Sequence, residues 1–139
     1  MELNKKFKIY SGLKTPDGTI LHSKHRHDCV MYKDANGKVY MLDGGLDYTR
    51  CSGHGDEELI EIYSDEPFEK VRQYCYRMSL GDPKSKDYPK QQIVFLKDMT
   101  DEHLNALLTY CLPVNQYLPL YKQEIEYRKE NNITIKNEK

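Results

Sequence analysis

The first 63 residues alternate between apolar and polar side chains, the period of a half-buried β-strand. This pattern predicts strands over residues 6–10, 19–23, 27–33, 38–42, 46–50 and 59–63. Turn sequences separate them: TPDG at 15–18, DANG at 34–37 and DGG at 43–45. Proline and glycine preset the backbone angles that such turns require. The arrangement indicates an antiparallel meander.

After residue 63 the apolar spacing changes to three or four residues, the period of an amphipathic helix. Residues 64–67 (SDEP) have the composition of a helix start. The sequence predicts one further strand over residues 92–96 and a third helix over residues 119–131. Thr100 is the predicted cap of the second helix, whose apolar stripe ends at Cys111. The first helix has one apolar face, made by Phe68, Val71, Tyr74 or Cys75, and Met78.

Together these elements predict an α+β fold, with an antiparallel sheet of five to six strands followed by three helices packed on one face. A chain of 139 residues is most simply one domain, spanning residues 1–139. Within it, residues 1–63 are predicted to be mainly β and residues 64–131 mainly helical with one strand. Residues 132–139 form a tail that adds a short strand or frays.

The overall charge is close to balanced, with 21 Lys and Arg against 22 Asp and Glu. This balance argues against a protein that binds long nucleic acids, since those usually carry a basic excess. No apolar run approaches the roughly 20 residues of a membrane span. The first ten residues lack the apolar core of a signal peptide, so a cytoplasmic location and no membrane partner are expected.

Charge is unevenly distributed along the chain. Residues 1–33 carry seven Lys or Arg against three Asp or Glu, whereas residues 34–66 carry two against nine. Residues 67–99 return to seven against four. Such zones indicate either self-association, most simply as a dimer, or a focused anion site, and scattered solvated charge remains the alternative.

The DGG turn and the residues after it form the first candidate binding surface. Consecutive backbone N–H groups at a glycine turn can bind an anion. Tyr48 and Arg50 follow, and on a strand they share one face. Arginine offers a bidentate contact to phosphate, and tyrosine offers a stacking surface for a base. Alternatively, the glycines form only a tight turn and Arg50 pairs with a carboxylate of the acidic zone.

Ionisable residues also crowd the stretch before the DANG hairpin. On a strand, His25 and His27 point to one face, and Arg26 points to the other. We predict Arg26 and His27 as further ligand contacts. Lys97 is an outer candidate, because it precedes a predicted helix N-terminus and such ends bind phosphate readily.

Two other interpretations of the histidines stay open. Together with Cys51 and His54, His25 and His27 could complete a tetrahedral metal site, but this spacing is not a known zinc pattern. We therefore predict no metal and no cofactor. A histidine-dependent phosphodiesterase would pair His27 with His54 or His103 as base and acid, with arginine on the phosphate.

The four cysteines are predicted to be reduced and to act as small buried hydrophobes: Cys29, Cys51, Cys75 and Cys111.

Four segments carry a resemblance to a known family. HRHDCV, YMLDGGLDYTR, KDMTDEHLNALL and EIEYRKE resemble small uncharacterised proteins encoded by tailed bacteriophages. Cys29 stands where that family usually has phenylalanine, and Thr49 where it usually has leucine. The resemblance covers most of residues 22–63 and 94–130. It implies a phage accessory protein but defines no chemistry.

Phage origin implies a function by analogy. Phage sponge proteins that counteract Thoeris and CBASS defence are of this size and similarly place a β-sheet before helices. The expected function is non-catalytic sequestration of a nucleotide-derived signal, with Arg26, His27, Tyr48 and Arg50 as contacts. The alternatives are the phosphodiesterase and an inhibitor that docks its acidic residues 56–66 onto a basic host surface.

Overall fold

The computed structural model describes residues 6–79, 83–89, 92–111 and 114–136. The chain divides into two compact units, of which the first is Lys6–Pro67 and the second begins at Phe68. This boundary lies four residues after the predicted change from strand period to helix period. The α+β class is confirmed, and whether the chain behaves as a single domain stays a prediction.

The first unit consists of six strands in two antiparallel sheets. Its strands are β1 (Lys8–Lys14), β2 (Ile20–His22), β3 (Val30–Lys33), β4 (Val39–Asp43), β5 (Arg50–Ser52) and β6 (Glu58–Tyr63). One sheet has the order β2-β1-β6 and the other β3-β4-β5. The six strands are therefore divided between two small sheets, whereas the alternation predicts one sheet of five to six strands.

Two turn aspartates explain why the hairpins form where the sequence predicts them. The Asp34 carboxylate accepts hydrogen bonds from the backbone N–H groups of Asn36 and Lys38, at 2.9 and 2.8 Å. Asp17 accepts hydrogen bonds from the Thr15 and Tyr32 hydroxyls. These hydrogen bonds, that of Thr15 foremost, hold the pKa of Asp17 well below its usual range.

Both sheets of the first unit contribute to one apolar core. Leu13 and Leu21 come from one sheet, and Tyr40 and Leu42 from the other. All four are almost fully buried, and partly buried side chains of β3 pack against them. The alternation therefore matches the buried positions of β4, whereas β1 is buried on both faces and all three residues of β5 are exposed.

The second unit contains three helices and a short hairpin among its described residues. Its elements are α1 (Phe68–Tyr74), β7 (Tyr76–Ser79), β8 (Gln92–Phe95), a 3₁₀ turn (Leu96–Asp98), α2 (Asp101–Tyr110) and α3 (Leu118–Asn131). The prediction that Met78 belongs to the first helix is wrong, because that helix ends at Tyr74. Met78 instead pairs with Ile93 across the β7–β8 hairpin, which satisfies backbone groups that a longer helix would have satisfied internally.

The predicted cap of the second helix is confirmed. The His103 N–H donates to Thr100 Oγ1 at 3.0 Å, and Asp101 and Glu102 lie in the first turn, where negative charge is favourable. The part of the predicted tail that the structure describes is not a strand. Its Ile135 carbonyl accepts a hydrogen bond from the Asp101 N–H at the start of α2. Residues 137–139 of that tail lie outside the described residues.

A buried ion-pair network joins the helices of the second unit. Glu124 of α3 is fully buried, and both of its oxygens accept hydrogen bonds from Arg72 of α1, at 2.8 and 2.9 Å. Arg128 donates to Glu124 at 2.7 Å and to Asp101 of α2 at 2.9 Å. The segment EIEYRKE thus contains core residues, although α3 is polar in composition. In the part of the chain that the structure describes, no helix has the length and apolar character to cross a membrane.

Candidate ligand-binding site

Two loops of the first unit hold four of the five predicted ligand contacts. We call them the two-loop clasp: residues 23–28, in the connection between β2 and β3, and residues 43–50, which run from the last residue of β4 to the first residue of β5. The prediction of a strand over residues 46–50 is therefore wrong, because only Arg50 of that range lies in a strand. Ser23 is fully buried at their centre. Its hydroxyl accepts a hydrogen bond from the Gly45 N–H at 2.8 Å and donates to the Asp28 carbonyl at 2.7 Å. One serine thereby fixes both loops.

The two glycines of the DGG turn are required by close backbone packing. Gly44 and Gly45 both have positive φ, at +105° and +57°. A Cβ on Gly45 would lie 2.3 Å from the His25 carbonyl carbon, and one on Gly44 would lie 2.2 Å from the Tyr48 carbonyl oxygen. The Gly45 N–H already donates to Ser23, so it is not available to an anion. The anion-binding nest predicted for this turn therefore has one donor fewer.

Residues 25–28 form a turn, so the strand predicted to begin at residue 27 begins at Val30. The Asp28 N–H donates to the His25 carbonyl at 2.9 Å, and the Asp28 carboxylate accepts from the Lys24 N–H. The prediction that alternate side chains here point to opposite strand faces is therefore wrong. His25 and His27 are exposed, their ring centroids are 6.5 Å apart, and the His27 N–H donates to His25 Nδ1.

Tyr48 and Arg50 meet on one carboxylate, that of Asp43. Arg50 Nη2 lies 3.0 Å from Asp43 Oδ2, and the Tyr48 hydroxyl lies 3.4 Å from the same oxygen. Asp43 and Arg50 are cross-strand partners, and the Asp43 side chain is only 9% exposed. The Arg50 side chain nevertheless remains 66% exposed. Arg50 therefore forms an ion pair with a carboxylate of the acidic zone, the alternative given by the sequence analysis. It also presents a guanidinium to solvent.

Arg26 belongs to the same cluster through its backbone and its side chain. Its carbonyl accepts a hydrogen bond from the Tyr48 hydroxyl at 3.2 Å, which ties one loop of the clasp to the other. Its Nε lies 3.7 Å from Asp47 Oδ2, and both side chains are more than half exposed, at 61% and 58%. Tyr48 itself is 43% exposed. A tyrosine ring and two arginines are thus carried, partly exposed, on loops that hydrogen bonds of Ser23 and Tyr48 tie together.

Lys97 is not part of the clasp. It lies in the 3₁₀ turn of the second unit, and its Nζ is 3.4 Å from the Asp98 carboxylate. Its predicted role as an outer ligand contact stays a prediction.

Comparisons of the chain with protein-family models, with curated proteins and with solved structures gave no significant match.

The other histidines and the cysteines occupy separate places. His54 packs edge-on against the Tyr40 ring with centroids 5.3 Å apart, and His103 lies in α2 of the second unit. Among the residues that the structure describes, no three His, Cys, Asp or Glu side chains are placed to hold a metal. The prediction of buried thiols is wrong for Cys29 and Cys51, which are exposed. It is correct for Cys75, where burial raises the pKa to about 12.

Much of the acidic segment 56–66 is engaged within its own unit. Asp56 accepts from the buried Tyr40 hydroxyl and lies 3.4 Å from Lys38 Nζ. Three of its glutamates also have partners: Glu57 accepts from the His54 and Gly55 N–H groups, Glu61 pairs with Lys8, and Glu66 accepts from the Tyr63 N–H. Of these carboxylates, Asp56 and Glu61 are paired with lysines, which offsets part of the charge that the segment offers to a basic host surface.

The second unit contains a pocket that the sequence pattern does not indicate. Its volume is about 520 Å³, and α2, α3 and the chain after α3 line it. The lining combines apolar residues such as Leu104 and Ile125 with the Asp101–Arg128 ion pair. Its lining comes from α2, α3 and the chain after α3, so the pocket is recognisable only once these segments are packed.

Proposed function

We propose that this chain binds a small nucleotide-derived anion on the two-loop clasp and releases it unchanged. The observation that carries the proposal is the shared anchoring of Tyr48. Its hydroxyl reaches both the Arg26 carbonyl and the Asp43 carboxylate, and that carboxylate also holds Arg50. A ring for stacking and a guanidinium for phosphate are therefore preorganised next to each other.

The exposure of the cluster supports a ligand site beyond a purely structural role. Arg50 uses Nη2 for Asp43, and a guanidinium carries five N–H donors in a planar fork. Arg50 can thus donate to a phosphate without releasing the buried carboxylate. His27, exposed on the same loop as Arg26, adds a hydrogen-bonding group at the edge of the surface.

The biological setting of the proposal rests on the resemblance to tailed-phage proteins. In that setting the chain acts in the host cytoplasm as an accessory protein, and sequestration of a nucleotide signal counteracts antiviral defence. A homo-oligomer suits this function, since each additional copy adds a site. The phosphodiesterase and the host-protein inhibitor remain as outcomes of the experiment below.

The test is calorimetric titration with a panel of cyclic dinucleotides, cyclic trinucleotides and cyclic ADP-ribose isomers. Arg50→Ala should weaken binding at least about tenfold, because hydrogen bonds to charged groups contribute about 1.5–3 kcal/mol. Arg50→Lys should restore only part of the affinity, since an ammonium cannot form the fork. Tyr48→Phe should weaken binding less than Tyr48→Ala, because stacking requires the ring.

Lys38→Ala is the matched control, since it removes a cation from an exposed ion pair on the neighbouring hairpin. It should leave affinity unchanged. Wild-type protein that binds no member of the panel would refute the proposed function. If Arg50 has only a structural role, Arg50→Ala should lower the melting temperature and leave the affinity per folded molecule unchanged. Chromatography of the ligand after incubation separates the binder from a phosphodiesterase, which would convert it.

A further inference from the structure

We infer that the Asp47 carboxylate occupies the position on Arg26 that a ligand phosphate would take, and that a bound ligand displaces it. This inference rests on the proposed function and concerns the regulation of the same site. It starts from the fact that each arginine of the two-loop clasp is paired with a carboxylate of residues 43–50, Arg26 with Asp47 and Arg50 with Asp43. A ligand phosphate must therefore compete with these carboxylates or share the guanidinium with them.

The two pairs differ in how readily they separate. Asp43 is 9% exposed, lies 3.0 Å from Arg50 and also accepts from the Tyr48 hydroxyl, so release of Arg50 would leave a buried carboxylate without a cation. Asp47 is 58% exposed and lies 3.7 Å from Arg26. An exposed pair of this length is weak, and its carboxylate can be hydrated as soon as it leaves.

The backbone around Asp47 permits the exchange. The Asp47 N–H donates to the Gly44 carbonyl at 3.1 Å, and the Tyr48 N–H donates to the same oxygen at 3.3 Å. The loop thus keeps its shape when the Asp47 side chain rotates toward solvent. The Arg26 carbonyl likewise stays bonded to the Tyr48 hydroxyl whatever its side chain contacts. Ligand binding requires only rotation of side chains.

The decisive variant is Asp47→Asn, which keeps the size of the side chain and removes its charge. The probes are cyclic di-AMP, which combines base and phosphate, and inorganic pyrophosphate, which carries charge alone. Asp47→Asn should tighten binding of both about two- to fivefold, the range that an exposed ion pair spans. In an Arg26→Ala background the same substitution should have no effect, because the competed group is absent.

The matched control is Glu126→Gln, which removes one negative charge from the equally long Lys129–Glu126 pair on α3. It should leave both affinities unchanged. Tightening by Glu126→Gln, or tightening by Asp47→Asn that persists without Arg26, would refute the inference in favour of general electrostatics. Unchanged affinity in Asp47→Asn alongside a loss in Arg50→Ala would refute the inference and keep the proposed function. No binding by either wild type or Asp47→Asn would refute both.

Discussion

At the scale of single residues, the DGG turn is constrained by packing as well as by backbone conformation. Gly45→Ala should destabilise the first unit by more than the roughly 1–3 kcal/mol that positive φ costs a non-glycine residue, because a Cβ would lie 2.3 Å from the backbone of His25. Gly18→Ala is the control, since Gly18 has φ +92° but no atom within 4 Å of an added Cβ. Denaturant unfolding measures both, and equal losses would contradict the packing argument.

At the scale of elements, the buried ion-pair network links α1, α2 and α3. Glu124→Gln should lower the free energy of unfolding by about 3–5 kcal/mol, because the partly buried Arg72 loses its carboxylate partner and the buried Arg128 keeps only Asp101. Chemical denaturation followed by circular dichroism measures this loss. Glu126→Gln, on the exposed face of the same helix, should change it by less than about 0.5 kcal/mol. Similar effects of the two substitutions would show that burial of the network contributes little.

At the scale of the whole molecule, the first unit has sheet edges and the sequence has charge zones of opposite sign, and both favour self-association. β6 is a six-residue strand that lies at the end of its sheet, next to β1 alone. Such an edge offers unpaired backbone groups to a second copy. We therefore expect a symmetric dimer. Sedimentation equilibrium at micromolar concentration measures this, and a species of only 16.4 kDa would contradict it.

Local patterns predicted those features that depend only on neighbouring residues. The hairpin at residues 34–37 follows from Asp34 and Gly37, whose side-chain hydrogen bonds and positive φ act within the turn itself. The Thr100 cap is equally local, because its partner is three residues away. Tyr76–Ser79 shows the limit of such patterns. Its apolar spacing fits a helix, yet pairing with the distant Gln92–Phe95 makes it a strand.

The sequence alone determined the α+β class and most turns, and it drew attention to four of the residues that the two-loop clasp contains, Arg26, His27, Tyr48 and Arg50. Only the tertiary structure decided what those residues do to one another. Ser23 carries no signal in the pattern, yet it joins loops 22 residues apart, and Glu124 looks like a surface charge until Arg72 reaches it from another helix. The physical reason is that an isolated charge or hydroxyl prefers water, and only partners distant in sequence can compensate its burial.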